Sequence, residues 1–132
     1  MSLPPPLKVV DLLPASPDSL TRAEQILHVR LPDNYRAFMT RYGGGQLKFL
    51  DILPIEPVGR QRTGMISVNQ AEFPEGSFVA VAPVGTGDWW GFRTTGGVSE
   101  DAVYFRDHED GHLELVASDF LDFVALRGFH PA

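Results

Sequence analysis

The apolar positions of the chain follow two rhythms, and the change between them divides the sequence. Up to about residue 42 the spacing is helical. Ser16-Pro17 opens a helix, because serine can cap the first free amides and proline has its φ preset for the first helical position. Leu20, Ala23 and Leu27 then share one face, which predicts a helix ending near His28. A second helix is predicted from Pro32. Here Tyr35, Phe38, Met39 and Tyr42 fall at i, i+3, i+4 and i+7, and Gly43-Gly44-Gly45 stops it.

Beyond the glycines the pattern turns strand-like. Leu47 to Ile55 is rich in Leu, Ile and Phe. Residues 56–76 contain Pro57, Gly59, Gly64, Pro74 and Gly76 and read mostly as loop. Phe78 to Val84 is nearly all apolar, as in a central strand, and Gly85 and Gly87 mark a turn. Trp89 to Arg93 is a short aromatic strand. Ala102 to Arg106 and His112 to Val116 flank Asp110-Gly111, a hairpin signal. Ser118 can cap a last helix, with Phe120, Phe123 and Val124 facing inward and Gly128 beyond its end. Two helices, a largely antiparallel sheet of about five strands and a C-terminal helix make an α+β fold. The expected core includes Leu27, Tyr35, Phe38, Val81, Phe105, Leu115 and Phe123.

The chain has 132 residues, of which 43% are hydrophobic, enough for one domain with its own core. Residues 1–15, with Pro4-Pro5-Pro6 and Pro14, read as a proline-rich arm, and 16–132 as the domain. With no cysteine, a disulfide framework, thiolate catalysis and a cysteine zinc site are excluded. No apolar run approaches the ~20 residues that cross a bilayer, so no membrane association is expected. Met1 to Pro6 resembles no secretion signal, and cytoplasm is the expected location.

Charge changes the picture more than composition does. Residues 1–64 carry 8 basic and 6 acidic side chains, while residues 65–132 carry 3 and 11. An acidic half repels phosphates, which argues against nucleic acid, and attracts a basic partner. Acidic surfaces also serve solubility alone.

Chemical motifs are few. His108-Glu109-Asp110-Gly111-His112 matches H-E-x-x-H, which holds zinc only when a helix puts both imidazoles on one face. Strand-like neighbours and Asp-Gly in the middle predict a hairpin tip, so neither a metal nor a cofactor is expected. A metal-dependent hydrolase using His108 and His112 is the alternative that a helix here would support. Gly85-Thr86-Gly87-Asp88 departs from G-x-G-x-x-G, since Trp90 follows and Asp88 would oppose phosphate. Trp89-Trp90 should send its rings to opposite faces of a sheet. Either one is buried and the other partly exposed, or both pack. Acidic pairs such as Glu100-Asp101 sit near strand ends, and no Ser lies in a G-x-S-x-G elbow. No catalytic residue is assigned, and the chain is not expected to be an enzyme.

The segment from Ala23 to Phe38, with Glu24, Leu31-Pro32 and Tyr35, then Tyr42-Gly43-Gly44, resembles the opening signature of the SUKH superfamily. That group includes Smi/Knr-type cell-wall assembly regulators and bacterial toxin-immunity proteins. The Gly85-x-Gly87-Asp88 turn and Ser118 to Phe123 resemble its later landmarks, while Trp89-Trp90-Gly91-Phe92-Arg93 departs from it. The resemblance implies a mixed α/β scaffold that binds a protein, commonly a toxin and often a nuclease. A regulatory scaffold without a toxin is the alternative within the same group. Asp88, Trp89, Glu100 and Asp101 are the expected contacts, meeting a basic toxin domain.

Overall fold

The computed structural model describes residues 11–57 and 61–129. The proline triplet lies outside them. The end of the expected arm belongs to the fold: Asp11–Leu13 forms strand β1, and the amide of Ala15 donates to Met39 O at 2.8 Å.

Helix α1, Pro17–Leu27, begins as its sequence dictates. Ser16 caps it by accepting the Ser19 amide at 3.1 Å, and Pro17 occupies the first turn. It ends at His28, whose φ of 54° is left-handed although the residue is not glycine. Helix α2, Asp33–Arg41, buries Tyr35, Phe38 and Met39. Its exit requires glycine. Gly43 has φ +87°, and a Cβ there would stand 1.7 Å from Leu13 O.

Of the expected first strand, Leu47 to Ile55, only Asp51–Ile52 is strand; its partner strand lies earlier, in the glycines expected only to stop α2. Gly44–Gln46 (β2) and Asp51–Ile52 (β3) pair antiparallel around a tight turn, where the Leu47 amide donates to Leu50 O at 2.8 Å. With β1 on the far side of β2, they form a three-stranded sheet. The stretch read as loop contains helix α3, Met65–Glu72. It has no side-chain cap. Its first amides instead reach the preceding chain, Met65 to Pro54 O at 2.7 Å and Ile66 to Ile55 O at 3.4 Å. Tertiary contact supports this helix where its own residues give little signal.

The second sheet is antiparallel, in the order β4 (Phe78–Pro83), β5 (Trp89–Thr95), β6 (Val98–Arg106), β7 (Leu113–Ala117). Helix α4, Phe120–Gly128, closes the chain. Its cap is Asp119, which accepts the Asp122 amide at 2.9 Å; the expected cap Ser118 instead donates its hydroxyl to the Asp122 carboxylate. Gly128 is the helix's last residue, not the one beyond it. The fold is α+β, with four helices and two antiparallel sheets among the described residues.

The core lies between α1, α2 and α4 and one face of the second sheet. Tyr35, Phe38, Val81 and Phe123 are buried there as expected, and Leu27 and Phe105 are half-buried. Leu115 is not in the core. It is 66% exposed, because β7 is the last strand of the sheet and Leu115 points to the face away from α4. Phe120 is the centre of the aromatic packing, with ring centroids 4.9 Å from Tyr35, 5.2 Å from Phe38 and 5.8 Å from Phe123.

The outer edge of β4 is closed. The Asn69 side chain, on α3, donates to Ala80 O at 2.9 Å and accepts the Ala80 amide at 2.7 Å, and the Leu53 amide donates to Val81 O at 2.8 Å. That last bond also ties the two sheets together.

Candidate functional site

Strand alternation decides which side chains share a face. Phe78 pairs with Arg93, Ala80 with Gly91, Gly91 with Tyr104, Trp89 with Arg106, and Tyr104 with Leu115. All of these lie on the side of the second sheet away from α4. Phe73, just past α3, covers one end of this face, with its ring 5.2 Å from Phe78 and 6.5 Å from Trp89. The Arg106 guanidinium lies 4.8 Å from the Phe73 ring centre. Gly91 lets the Phe78 ring come close over β5, since a Cβ at 91 would come within 2.7 Å of that ring. Towards β7 nothing among the described residues covers the face. Trp89, Tyr104, Arg106 and Leu113 are half-buried, and Leu115 is exposed.

At the other end of the face, Glu100 joins two partners. Arg93 donates to it through Nε and a second guanidinium nitrogen, and Tyr104 donates its hydroxyl at 2.9 Å. The Arg93 guanidinium also stacks on the Tyr104 ring at 4.9 Å. Bonding to Arg93 holds the Glu100 carboxyl below the usual range, and bonding to Glu100 pushes the Tyr104 phenol up. Such a set stiffens side chains that would otherwise be free, which lowers the entropy lost on contact.

The four expected contacts therefore separate. Trp89 and Glu100 lie on one face, about four residues of strand apart, or roughly 13 Å at strand rise. Asp101 is exposed and makes no side-chain hydrogen bond or ion pair among the described residues. Asp88 is a structural residue of the turn. It accepts from the Thr86 hydroxyl, from the His108 amide at 2.8 Å and from the His108 ring at 2.7 Å, and these bonds hold its pKa down at about 2. Arg93, Tyr104, Arg106 and Leu115 belong to the face as well. Period-two reading of Trp89-Gly91-Arg93 and Tyr104-Arg106 could have found the first three. The two tryptophans both pack, one on each side: Trp89 on this face, Trp90 on the other with its ring 5.4 Å from Phe123.

The apparent zinc motif is a hairpin turn. The Asp107 amide donates to His112 O at 2.9 Å, the Glu109 amide to the Asp107 carboxylate at 2.7 Å, and the His112 amide to the Asp110 carboxylate at 2.8 Å. No helix puts the two imidazoles on one face, and this removes the geometry the hydrolase alternative needs. His108 does lie with Asp88 and Asp107, their nearest ligand-type atoms within 4.8 Å of one another, and His112 is not in that group. The bonds just described account for these carboxylates as clasps of two adjoining turns.

One further constellation lies at the junction of the first two helices. Glu24 accepts the Leu31 amide at 2.8 Å and pairs with Arg36. Arg30 bridges to Val98: its amide donates to Gly97 O at 2.7 Å, and its carbonyl accepts from Ser99 at 3.0 Å. Glu24 and the Leu31-Pro32 step thus fix the angle between α1 and α2, and Arg30 ties that corner to the β5–β6 turn.

A SUKH family model described as SMI1-KNR4 cell-wall matches residues 17–124. The chain belongs to the SUKH family. No curated protein matches it. The match begins with α1 and ends within α4, so the SUKH region contains both the helical corner held by Glu24 and the open face of the second sheet. No helix among the described residues is long and apolar enough to cross a membrane.

Proposed function

We propose that this SUKH domain is a non-catalytic, cytoplasmic protein-binding module of the immunity type, which neutralises a basic toxin domain by covering it. One observation carries the reading: Trp89, Tyr104 and Leu115 form an aromatic and aliphatic face that Phe73 covers at its Trp89 end and that nothing among the described residues covers towards β7, bordered by Glu100 and the acidic hairpin at 107–110. Rigid aromatic side chains with an acidic surround suit a protein partner of opposite charge. Asp101 and Glu109 replace Asp88 as the charges that steer association, since Asp88 is engaged in its turn.

Affinity capture from the native host, followed by binding kinetics with the captured protein, tests the proposal. Trp89→Ala should speed dissociation, with a loss of about 2 kcal/mol for a buried anchor. Asp101→Lys with Glu109→Lys should slow association and flatten its salt dependence. Should both variants stay folded and bind like the parent, this face is not the interface.

A further inference from the structure

The two edges of the second sheet differ. The edge of β4 is closed by Asn69 and Leu53, but β7 has no neighbour beyond it among the described residues. The Asp107 amide bonds to His112 O, so residue 112 faces β6 and, by antiparallel alternation, so does Glu114. Leu113 and Leu115 then point their N–H and C=O groups outward. Among the described residues, none of the backbone bonds outside the ladders involves either residue. The register shift opposite Val103 and Tyr104 confines this regular edge to its first half. The strand itself holds no lysine or proline, and no loop among the described residues covers it.

We infer that β7 is a docking edge for an extended basic segment of the protein partner, which adds to the sheet as a further strand. The inference rests on the protein-binding reading above and names the chemistry of what binds. Strand addition draws affinity from main-chain hydrogen bonds and specificity from the two faces. On one face the added strand would meet Leu113 and Leu115, which favours aliphatic residues. On the other lies a groove of about 460 Å³ between β7 and α4, lined by Val116, Ala117, Ser118, Asp122, Ala125 and Leu126. Its apolar wall suits the stem of a lysine or arginine, and Asp122 and Glu114 suit the head. Charge selects the occupant. Residues 107–122 hold Asp107, Glu109, Asp110, Glu114, Asp119 and Asp122 and no lysine or arginine. A second copy paired antiparallel about Leu115 would bring the acidic hairpin of each copy against Asp119 and Asp122 of the other, which like-charge repulsion opposes.

The probe is a capped peptide of about seven residues alternating lysine and valine, titrated into the isotope-labelled protein. Amide NMR shifts should concentrate at Leu113 and Leu115, and those amides should gain protection from exchange. Leu115→Pro removes one outward donor at an edge that tolerates proline, and should weaken binding at least tenfold. Two further peptides, N-methylated on alternate residues in the two possible phases, test the main-chain bonds even if that variant fails to fold. One phase should lose binding at least tenfold and the other keep it. Equal binding by both phases, shifts centred on Trp89 and Tyr104, or equal binding of an acidic peptide would overturn strand addition while leaving protein binding by the open face intact. Protection of Leu113 and Leu115 in a dimer of the protein alone would overturn it in favour of a second copy.

Discussion

Asp88 Oδ1 takes two hydrogen bonds from one residue, His108: the backbone amide at 2.8 Å and the ring Nδ1 at 2.7 Å. The turn before β5 and the turn after β6 are thereby held together. The bond to Asp88 raises the His108 pKa above its ordinary 6.5, while the Thr86 hydroxyl and His108 hold Asp88 at about 2. A raised histidine stabilises fully below its unfolded value and loses that contribution as pH rises through its folded value. A lowered carboxyl stabilises above its unfolded value, 3.8, and loses that contribution as pH falls toward about 2. The clasp is therefore strongest between about pH 4 and 6.5. Asp88→Asn should show its largest stability deficit there, a smaller one at pH 8, and one that fades as pH falls through about 2. In an NMR titration the His108 ring should titrate above 6.5 in the parent and fall back in the variant. Identical titrations in the two proteins would show that no clasp forms.

Phe120→Ala should cost about 3–5 kcal/mol, the usual range for a buried Phe. Its ring touches Tyr35, Phe38, Phe92 and Phe123, so no single neighbour can fill the space. Phe38→Ala should fall toward the lower end, because Phe38 retains 7% exposure. Urea denaturation gives both values, and a change below about 1 kcal/mol in either would show that the residue lies outside the core.

Tyr35 is fully buried, and its hydroxyl has no hydrogen-bond partner among the described residues. Burial alone pushes the phenol's pKa far up. Removing an unpaired buried polar group is neutral or favourable. Tyr35→Phe should match the parent or exceed it by up to about 1 kcal/mol. A loss of stability would reveal a bond to the hydroxyl.

Gly91→Ala should destabilise by at least about 1–3 kcal/mol, the range for overpacking. The new Cβ would lie 2.1 Å from Val79 O, in a central strand where the backbone cannot retreat. The fall in denaturation midpoint should shrink when Phe78→Ala is added, because the ring is the second obstruction. An unchanged penalty would assign the whole cost to the backbone contact.

The helical part of the fold was legible because its signals are local. Ser16-Pro17, the stripe from Tyr35 to Tyr42 and the glycines after it act within a few residues of themselves. Helix α3 was not legible, because its first amides are satisfied by Pro54 and Ile55, well outside any local window. Leu115 misled for a related reason. Alternation gives the face of a strand but not whether another strand or helix covers it, and β7 lies at an edge. At the site, Trp89 and Glu100 were read as surface contacts and do share the open face, but Asp88 was not separable from them. A carboxylate that steers a partner and one that clasps a turn look alike until the position of His108 is known.

Asn69 gives the sheet an unusual informant. The amide proton of Ala80 is shielded by a side chain carried on α3, not by a neighbouring strand. Its exchange with solvent thus times the undocking of a helix and not the fraying of a sheet. Comparing that single proton with the amides sheltered between β4 and β5 would tell whether the helix leaves alone or only when the whole domain opens.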